Sequence, residues 1–187
     1  MSFRDELEQW PRERVETLIA CATPEEVDRA IAAEQLEPRD LAALLSPHAR
    51  ARLEPIARKA QRLTRWHFGR TIALYAPIYL SNICTSDCVY CGFSPKAHGT
   101  YKRVQLTRDE LRAECEALSK RGFEAILLLT GDAPKVAGVD YIAEAVGIAR
   151  EHFASVSVEV FAMDQPDYAR LCDAGLDGVT LYQETYD

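Results

Sequence analysis

The sequence contains no apolar run that approaches the roughly 20 residues that a membrane-spanning helix requires. Its amino terminus, Met1 to Glu6, is acidic and lacks the apolar segment of a secretory signal. These absences argue against a membrane as a partner. They also predict that the protein is cytoplasmic.

Basic residues are outnumbered, with 22 lysines and arginines against 29 aspartates and glutamates, a formal net charge of −7. Nucleic-acid-binding proteins usually carry a basic face, so this balance argues against nucleic acid as a partner. The four histidines show no metal-ligand spacing with one another and are expected to be surface or packing residues. Hydrophobic residues make up 48% of the chain, which is enough to build a buried core.

Three of the six cysteines, Cys84, Cys88 and Cys91, fall within eight residues. Thiolates favour zinc and iron–sulfur clusters. A structural zinc site needs four protein ligands, and the candidates for a fourth are His98 and the more distant Cys115. A four-iron cluster held by three cysteines would instead keep one iron open for chemistry. Zinc, or three unrelated buried cysteines, is the alternative interpretation.

The other three cysteines, Cys21, Cys115 and Cys172, lie in helix-like stretches. Since nothing suggests secretion, they are expected to be small buried residues rather than disulfide partners.

The cysteine spacing, with the aromatic Tyr90 before the last cysteine, is identified as the cluster-binding signature of the radical SAM superfamily. Two later segments, 127–134 and 175–187, resemble the tyrosine lyase group of that superfamily. Within this group the chain is most similar to the 2-iminoacetate synthases of thiazole and thiamine biosynthesis. The resemblance covers roughly residues 72–187.

The pattern of the chain changes near residue 70. Residues 1–70 read as a helical N-terminal extension with capping signals at Thr23 and Pro38, and residues 71–187 alternate strands with helices. The expected fold class is α/β, with a parallel sheet. The resemblance implies a radical SAM (β/α) barrel, here only its N-terminal half of about four βα units. Family enzymes are about twice as long, so the chain is expected to be truncated after strand four.

The candidate motifs follow predicted strands. The cysteines come after strand one, the loop Thr130-Gly131-Asp132 after strand two, and Gln183-Glu184 after strand four. In barrels of this kind the carboxyl ends of the strands carry the active site. The sequence therefore predicts that these motifs meet at one face.

The resemblance implies a role for each motif. Cys84, Cys88 and Cys91 would bind a 4Fe-4S cluster, whose fourth iron binds S-adenosylmethionine and whose electron releases a 5′-deoxyadenosyl radical. Tyr90 and Phe93 would lie along the adenine, with ordinary loop packing as the alternative.

The loop after strand two would accept hydrogen bonds from the ammonium group of the cofactor. The candidate groups are the Asp132 carboxylate, the Thr130 hydroxyl and the backbone carbonyls of Thr130 and Gly131. Aspartate stands where the family usually has a glutamate that is one methylene longer. A simple strand-to-helix turn is the alternative.

Residues on later strands complete the expected site. Glu159 would face the cofactor, and Gln183 and Glu184 would face the cofactor ribose or the amino group of the substrate as catalytic residues. Tyr182 and Tyr186 are expected to be core aromatics, with substrate neighbours as the alternative. After strand three the chain reads Phe161-Ala162-Met163 where the family usually shows Gln-Pro-Leu, which leaves the substrate less certain.

The implied activity is cleavage of the Cα–Cβ bond of L-tyrosine to 2-iminoacetate (dehydroglycine) and p-cresol. Thiazole synthase would receive the imine, and a flavodoxin- or ferredoxin-type protein would donate electrons. The alternatives are a hydrogenase-maturation tyrosine lyase, which goes on to make carbon monoxide and cyanide, or another aromatic amino acid lyase acting on tryptophan. An alternative of another class is a non-catalytic zinc or scaffold module.

Overall fold

The computed structural model describes residues 3–96 and 101–182. The chain forms two compact units, Met1–Thr71 and Ile72–Asp187. The first is helical and the second combines helices with strands. That the two units are separate domains stays a prediction.

The first unit consists of short helices joined by turns. They are α1 (Phe3–Glu8), α2 (Arg12–Cys21), α3 (Pro24–Ala32), α4 (Pro38–Leu44), a 3-10 helix (Pro47–Arg52) and α5 (Leu53–Phe68). Thr23 caps α3 as predicted: its side-chain oxygen accepts from the Glu26 N–H, and the Glu26 carboxylate accepts from the Thr23 N–H. This reciprocal pair satisfies two N–H groups that the start of a helix leaves unpaired.

The sequence pattern predicts a single helix from about His48 to Trp66, and the first part of that prediction is wrong. A 3-10 turn occupies Pro47–Arg52, and the α-helix begins only at Leu53. Pro55 explains the break, because proline has no N–H to donate to the carbonyl four residues earlier.

The second unit contains β1 (Tyr75–Ser81), α6 (Arg108–Ser119), β2 (Ala125–Thr130), α7 (Val139–Arg150), β3 (Ser155–Glu159), α8 (Gln165–Asp173) and β4 (Gly178–Thr180). The four strands pair in the order β1-β2-β3-β4, and every pair is parallel. The parallel sheet and its alternating helices confirm the predicted α/β class.

The two faces of the sheet have different surroundings because successive strand residues point to opposite sides. One face is buried with residues of α6 and α7 in a single core. The residues that form it include Ala76, Ile78, Leu80, Leu111, Cys115, Ile126, Leu128, Ile142, Val146, Val156 and Val158. The other face carries Tyr79, Leu129 and Glu159, which are aligned in one row across β1, β2 and β3. This second face is the one available for a site.

Only one of the three cysteines expected to be buried is buried. Cys115 lies in the core, and burial raises the pKa of its thiol to about 11. Cys21 and Cys172 are exposed. Helix α2 buries none of its residues, and on α8 the buried position belongs to Leu171, next to Cys172.

Among the described helices, none combines the length and the apolar character needed to cross a bilayer.

Candidate active site

A cavity of about 390 Å³ lies at the carboxyl ends of β1 to β3. Every predicted site residue that the structure describes lines it, namely Cys84, Cys88, Tyr90, Cys91, Phe93, Thr130, Gly131, Asp132 and Glu159. The predicted catalytic residues Gln183 and Glu184 lie outside the described residues, as does Tyr186. The motifs that stand far apart in the sequence thus share one cavity.

Residues 82–96 follow β1, and we call them the cysteine loop. Residues 103–106, which come later in the chain, bond to the end of β1 and to the first residue of the loop. The Asn82 N–H donates to the Val104 carbonyl at 3.1 Å, and the Leu106 N–H donates to the Leu80 carbonyl at 2.8 Å. The Arg103 guanidinium donates to the Asn82 carbonyl at 2.8 Å. These contacts fix where the loop begins, directly beside the end of β2.

Gly131 allows the cysteine loop to approach the end of β2. Its N–H donates to the Ser81 carbonyl at 2.9 Å. A Cβ at this position would lie 2.3 Å from the Ile83 carbonyl oxygen and 2.8 Å from the Cys84 Cβ. No side chain fits in that space, so glycine is required by close contact.

Asp132 makes contacts with three consecutive residues of the loop. Its N–H donates to the Cys84 Sγ at 3.3 Å. Its carbonyl accepts from the Thr85 N–H at 2.8 Å and from the Thr85 hydroxyl at 2.7 Å. Its carboxylate accepts from the Ser86 hydroxyl at 2.7 Å. The first half of the cysteine loop is therefore bonded to the end of β2.

Asp87 holds the second half of the loop. Its carboxylate accepts from the buried Ser94 hydroxyl and pairs with the Lys96 ammonium at 2.7 Å. The hydrogen bond from Lys96, followed by the one from Ser94, lowers the pKa of the Asp87 carboxyl. Between these residues, the Cys91 N–H donates to the Cys88 carbonyl at 3.1 Å. The last two cysteines thus lie on one hydrogen-bonded turn.

Aromatic packing joins the loop to the sheet. The rings of Tyr79 and Phe93 meet edge to face, with centroids 5.5 Å apart and planes at 89°. Such contacts stabilise beyond the area that they bury. Tyr90 is exposed at the cavity.

The donor set fits a cluster better than a single ion. Within residues 3–96 and 101–182, no three histidine, cysteine or acidic side chains come close enough to share one metal ion. Cysteines that ligate a four-iron cluster each bind a different iron, so their sulfurs need only surround a common space. Three thiols lining one cavity meet that requirement. His98, a candidate fourth zinc ligand, lies outside the described residues.

Two polar groups at the strand ends have no bond within the described part of the chain. Glu159 is half-buried at the end of β3, and its carboxylate has no hydrogen-bond or ion-pair partner there. The Thr130 Oγ1 is buried and unpaired. Strand alternation places the Thr130 side chain on the helix-covered side with Leu128, whereas Glu159 is on the open side.

Tyr182 differs from its prediction as a core aromatic. It is exposed and lines the cavity, because β4 ends at Thr180 and no strand follows it in the described residues. Sequence reasoning also missed Thr85 and Ser86. The available signal was that two hydroxyl residues stand between the first two cysteines. Their partner, Asp132, lies 46 residues after Ser86, and no local sequence pattern links the two.

The chain is similar to known proteins over most of its length. A sequence profile of the Radical SAM superfamily matches residues 78–187. The chain is 44% identical over 185 residues to a 2-iminoacetate synthase of Salmonella typhimurium, covering 99% of this chain and 48% of that protein. It is 30% identical over 162 residues to a 3-methylornithine synthase of Methanosarcina acetivorans, covering 86% of this chain and 46% of that protein. The chain spans about half the length of these curated relatives.

Solved structures show the same fold. HydG, a maturase of the FeFe-hydrogenase, matches with a TM-score of 0.83 at 25% identity, covering 95% of this chain and 42% of HydG. Methylornithine synthase matches with a TM-score of 0.69 at 28% identity, covering 87% of this chain and 48% of that chain. These matches confirm the predicted fold class, which corresponds to about half of a radical SAM barrel.

Proposed function

Because the chain belongs to the Radical SAM superfamily, we propose that the protein cleaves the Cα–Cβ bond of L-tyrosine to give 2-iminoacetate and p-cresol. The observation that carries this proposal is the 44% identity to a 2-iminoacetate synthase across 99% of the chain. That similarity includes the cysteine loop and the ends of all four strands. The 4Fe-4S cluster and S-adenosylmethionine are the cofactors of this superfamily, as the cysteine motif predicted.

When bound, the cluster and S-adenosylmethionine supply the electron and the radical that begin the reaction. The protein supplies position and excludes water. In our proposal Cys84, Cys88 and Cys91 hold the cluster, and Tyr90 and Phe93 lie along the adenine. Their shared cavity supports both assignments.

Glu159 is our candidate for receiving an ammonium group. A half-buried carboxylate without a partner is unfavourable, and a cation that donates hydrogen bonds to it relieves that cost. S-Adenosylmethionine and tyrosine both carry an ammonium group. Tyr79 and Phe161 provide apolar walls beside Glu159, which strengthen such a contact by displacing water.

Four further residues belong to the proposed site. Thr130 and Gly131 border the cofactor through their backbone, since the Thr130 hydroxyl is buried. Gln183 and Glu184 are proposed as catalytic residues. A thiazole synthase as acceptor of the imine, a flavodoxin- or ferredoxin-type electron donor and a cytoplasmic location complete the proposal.

A product analysis tests this function. The complete reading frame would be purified and reconstituted without oxygen, then incubated with reductant, S-adenosylmethionine and L-tyrosine. We expect 5′-deoxyadenosine, p-cresol and glyoxylate, the hydrolysis product of 2-iminoacetate, and no cyanide. 5′-Deoxyadenosine without p-cresol would contradict tyrosine as the substrate.

The likeness to HydG favours one second candidate, a hydrogenase-maturation type of tyrosine lyase. The same incubation separates the two, because cyanide together with p-cresol would indicate the second. The sequence Leu129-Thr130-Gly131-Asp132-Ala133-Pro134 resembles the thiazole branch more closely, which is why we rank that branch first.

A further inference from the structure

We propose that Asp132 is a positioning residue that clamps the first half of the cysteine loop. Its N–H, its carbonyl and its carboxylate bond to Cys84, Thr85 and Ser86 respectively. All three groups of one residue are thus committed to three consecutive residues of the loop. The proposal requires the cluster of the superfamily but not the tyrosine reaction.

The length of the aspartate side chain suits this contact. A short side chain keeps its carboxylate close to its own backbone, which is where Thr85 and Ser86 lie, with the Ser86 hydroxyl 2.7 Å from Oδ2. A glutamate, usual at this position in the family, would carry its carboxylate one methylene farther from that backbone. The departure from the family pattern therefore coincides with a partner in this chain, Ser86.

The clamp has a chemical consequence at the first cysteine. The Asp132 N–H donates to the Cys84 Sγ at 3.3 Å, a contact that stabilises negative charge on sulfur. Hydrogen bonds to the sulfurs are one of the factors that set the reduction potential of a cluster. Holding Thr85 and Ser86 keeps this N–H directed at the sulfur.

The two carboxylates that line the cavity, Asp132 and Glu159, differ in the hydrogen bonds that they already accept. The Ser86 hydroxyl occupies one oxygen of the Asp132 carboxylate, Oδ2, and the other oxygen keeps its lone pairs. Glu159 has no competing bond among the described residues and lines the same cavity. Of the two, Glu159 is the carboxylate with both oxygens available to a cationic ligand among the described residues.

A double-mutant cycle tests the clamp on the full-length, reconstituted protein. Ser86→Ala and Asp132→Ala remove the same hydrogen bond from opposite ends, and the double variant removes both partners. The readout is the rate of iron loss to a chelator without S-adenosylmethionine. We expect each single variant to lose iron at least about fivefold faster than wild type, because each removes a charge-assisted hydrogen bond. The double variant should lose iron no faster than Asp132→Ala.

Controls and a second readout separate positioning from general damage. Ser119→Ala on α6 and the exposed Asp173→Ala on α8 should lose iron at the wild-type rate. Thermal unfolding of the metal-free proteins shows whether each variant folds. Asp132→Asn keeps an acceptor oxygen for Ser86 and should fall between wild type and Asp132→Ala. In Ser86→Ala the reduction potential of the cluster should become more negative, because the Asp132 N–H is less firmly directed at Cys84.

A role of Asp132 confined to ligand binding predicts a different result. If Asp132 instead bound the ammonium group of S-adenosylmethionine, Asp132→Ala would weaken cofactor binding tenfold or more and Ser86→Ala would not change the rate of iron loss. That result would overturn the clamp. The tyrosine assay is independent of it: failure to form p-cresol would contradict the proposed function while leaving the iron-loss result intact.

Discussion

The acidic residues Asp132 and Glu159 follow or end neighbouring strands, yet their surroundings differ. The Asp132 carboxylate accepts a hydroxyl of the cysteine loop, whereas the Glu159 carboxylate has no partner in the described part of the chain. Both line the same cavity. The difference teaches that acidity at a strand end does not identify a ligand-binding residue. The Ser86 hydroxyl occupies one oxygen of Asp132, whereas both oxygens of Glu159 are open among the described residues.

The largest effect should come from Gly131, which makes the contact at the end of β2 feasible. In Gly131→Ala the new Cβ would meet the Ile83 carbonyl at 2.3 Å, so the loop must move away from the strand. We expect unfolding free energy to fall by about 1–3 kcal/mol or more, and iron content after reconstitution to fall with it. Chemical denaturation and iron analysis measure the two effects.

Gly147 provides the matched control. It lies inside α7, and a Cβ there would meet nothing within 4 Å. Gly147→Ala should therefore raise the free energy of unfolding by about 0.5–1 kcal/mol and leave the iron content unchanged. If Gly131→Ala and Gly147→Ala had the same free energy of unfolding and the same iron content, close approach at Gly131 would not be what holds the loop.

The next largest effect concerns Glu159, whose carboxylate has no partner among the described residues. In Glu159→Gln the negative charge is lost at nearly constant shape, and we expect affinity for the ligand that presents the ammonium group to fall about tenfold to a hundredfold. Equilibrium binding of S-adenosylmethionine and the KM for tyrosine show which ligand that is. Unchanged values for both would remove Glu159 from the binding site, and iron loss at the wild-type rate would distinguish it from Asp132.

The sequence could predict most of this arrangement but not the difference between the carboxylates. Strand order, the cavity face and the shared location of Cys84, Gly131 and Glu159 follow from local periodicity and from parallel strands ending at one edge. Whether a carboxylate is already bonded depends on contacts between distant segments, such as Ser86 with Asp132. The exposure of Cys172 likewise depends on which side of α8 packs against the rest of the unit. In a short amphipathic helix the sequence alone does not decide that side.

Thr130 extends the comparison to a hydroxyl that is buried and has no partner within residues 3–96 and 101–182. Thr130→Val replaces the Oγ1 with a methyl group of similar size, so we expect the free energy of unfolding to rise by about 1 kcal/mol. Thr130→Ser keeps the hydroxyl and should instead lower it by about 0.8 kcal/mol, for the lost methyl group. A tenfold loss of S-adenosylmethionine affinity in Thr130→Val alone would mean that the hydroxyl reaches the cofactor after all.

The smallest effect should come from Asp87, the second carboxylate that is engaged within the loop. Asp87→Asn keeps an acceptor for the Ser94 hydroxyl but loses the charge that pairs with Lys96, and that pair is exposed to solvent. Because exposed ion pairs contribute little, we expect iron loss to accelerate only about twofold. High salt should reduce the difference from wild type, since it screens the pair that the substitution removes. An effect as large as that of Asp132→Ala would mean that both halves of the loop depend equally on a carboxylate.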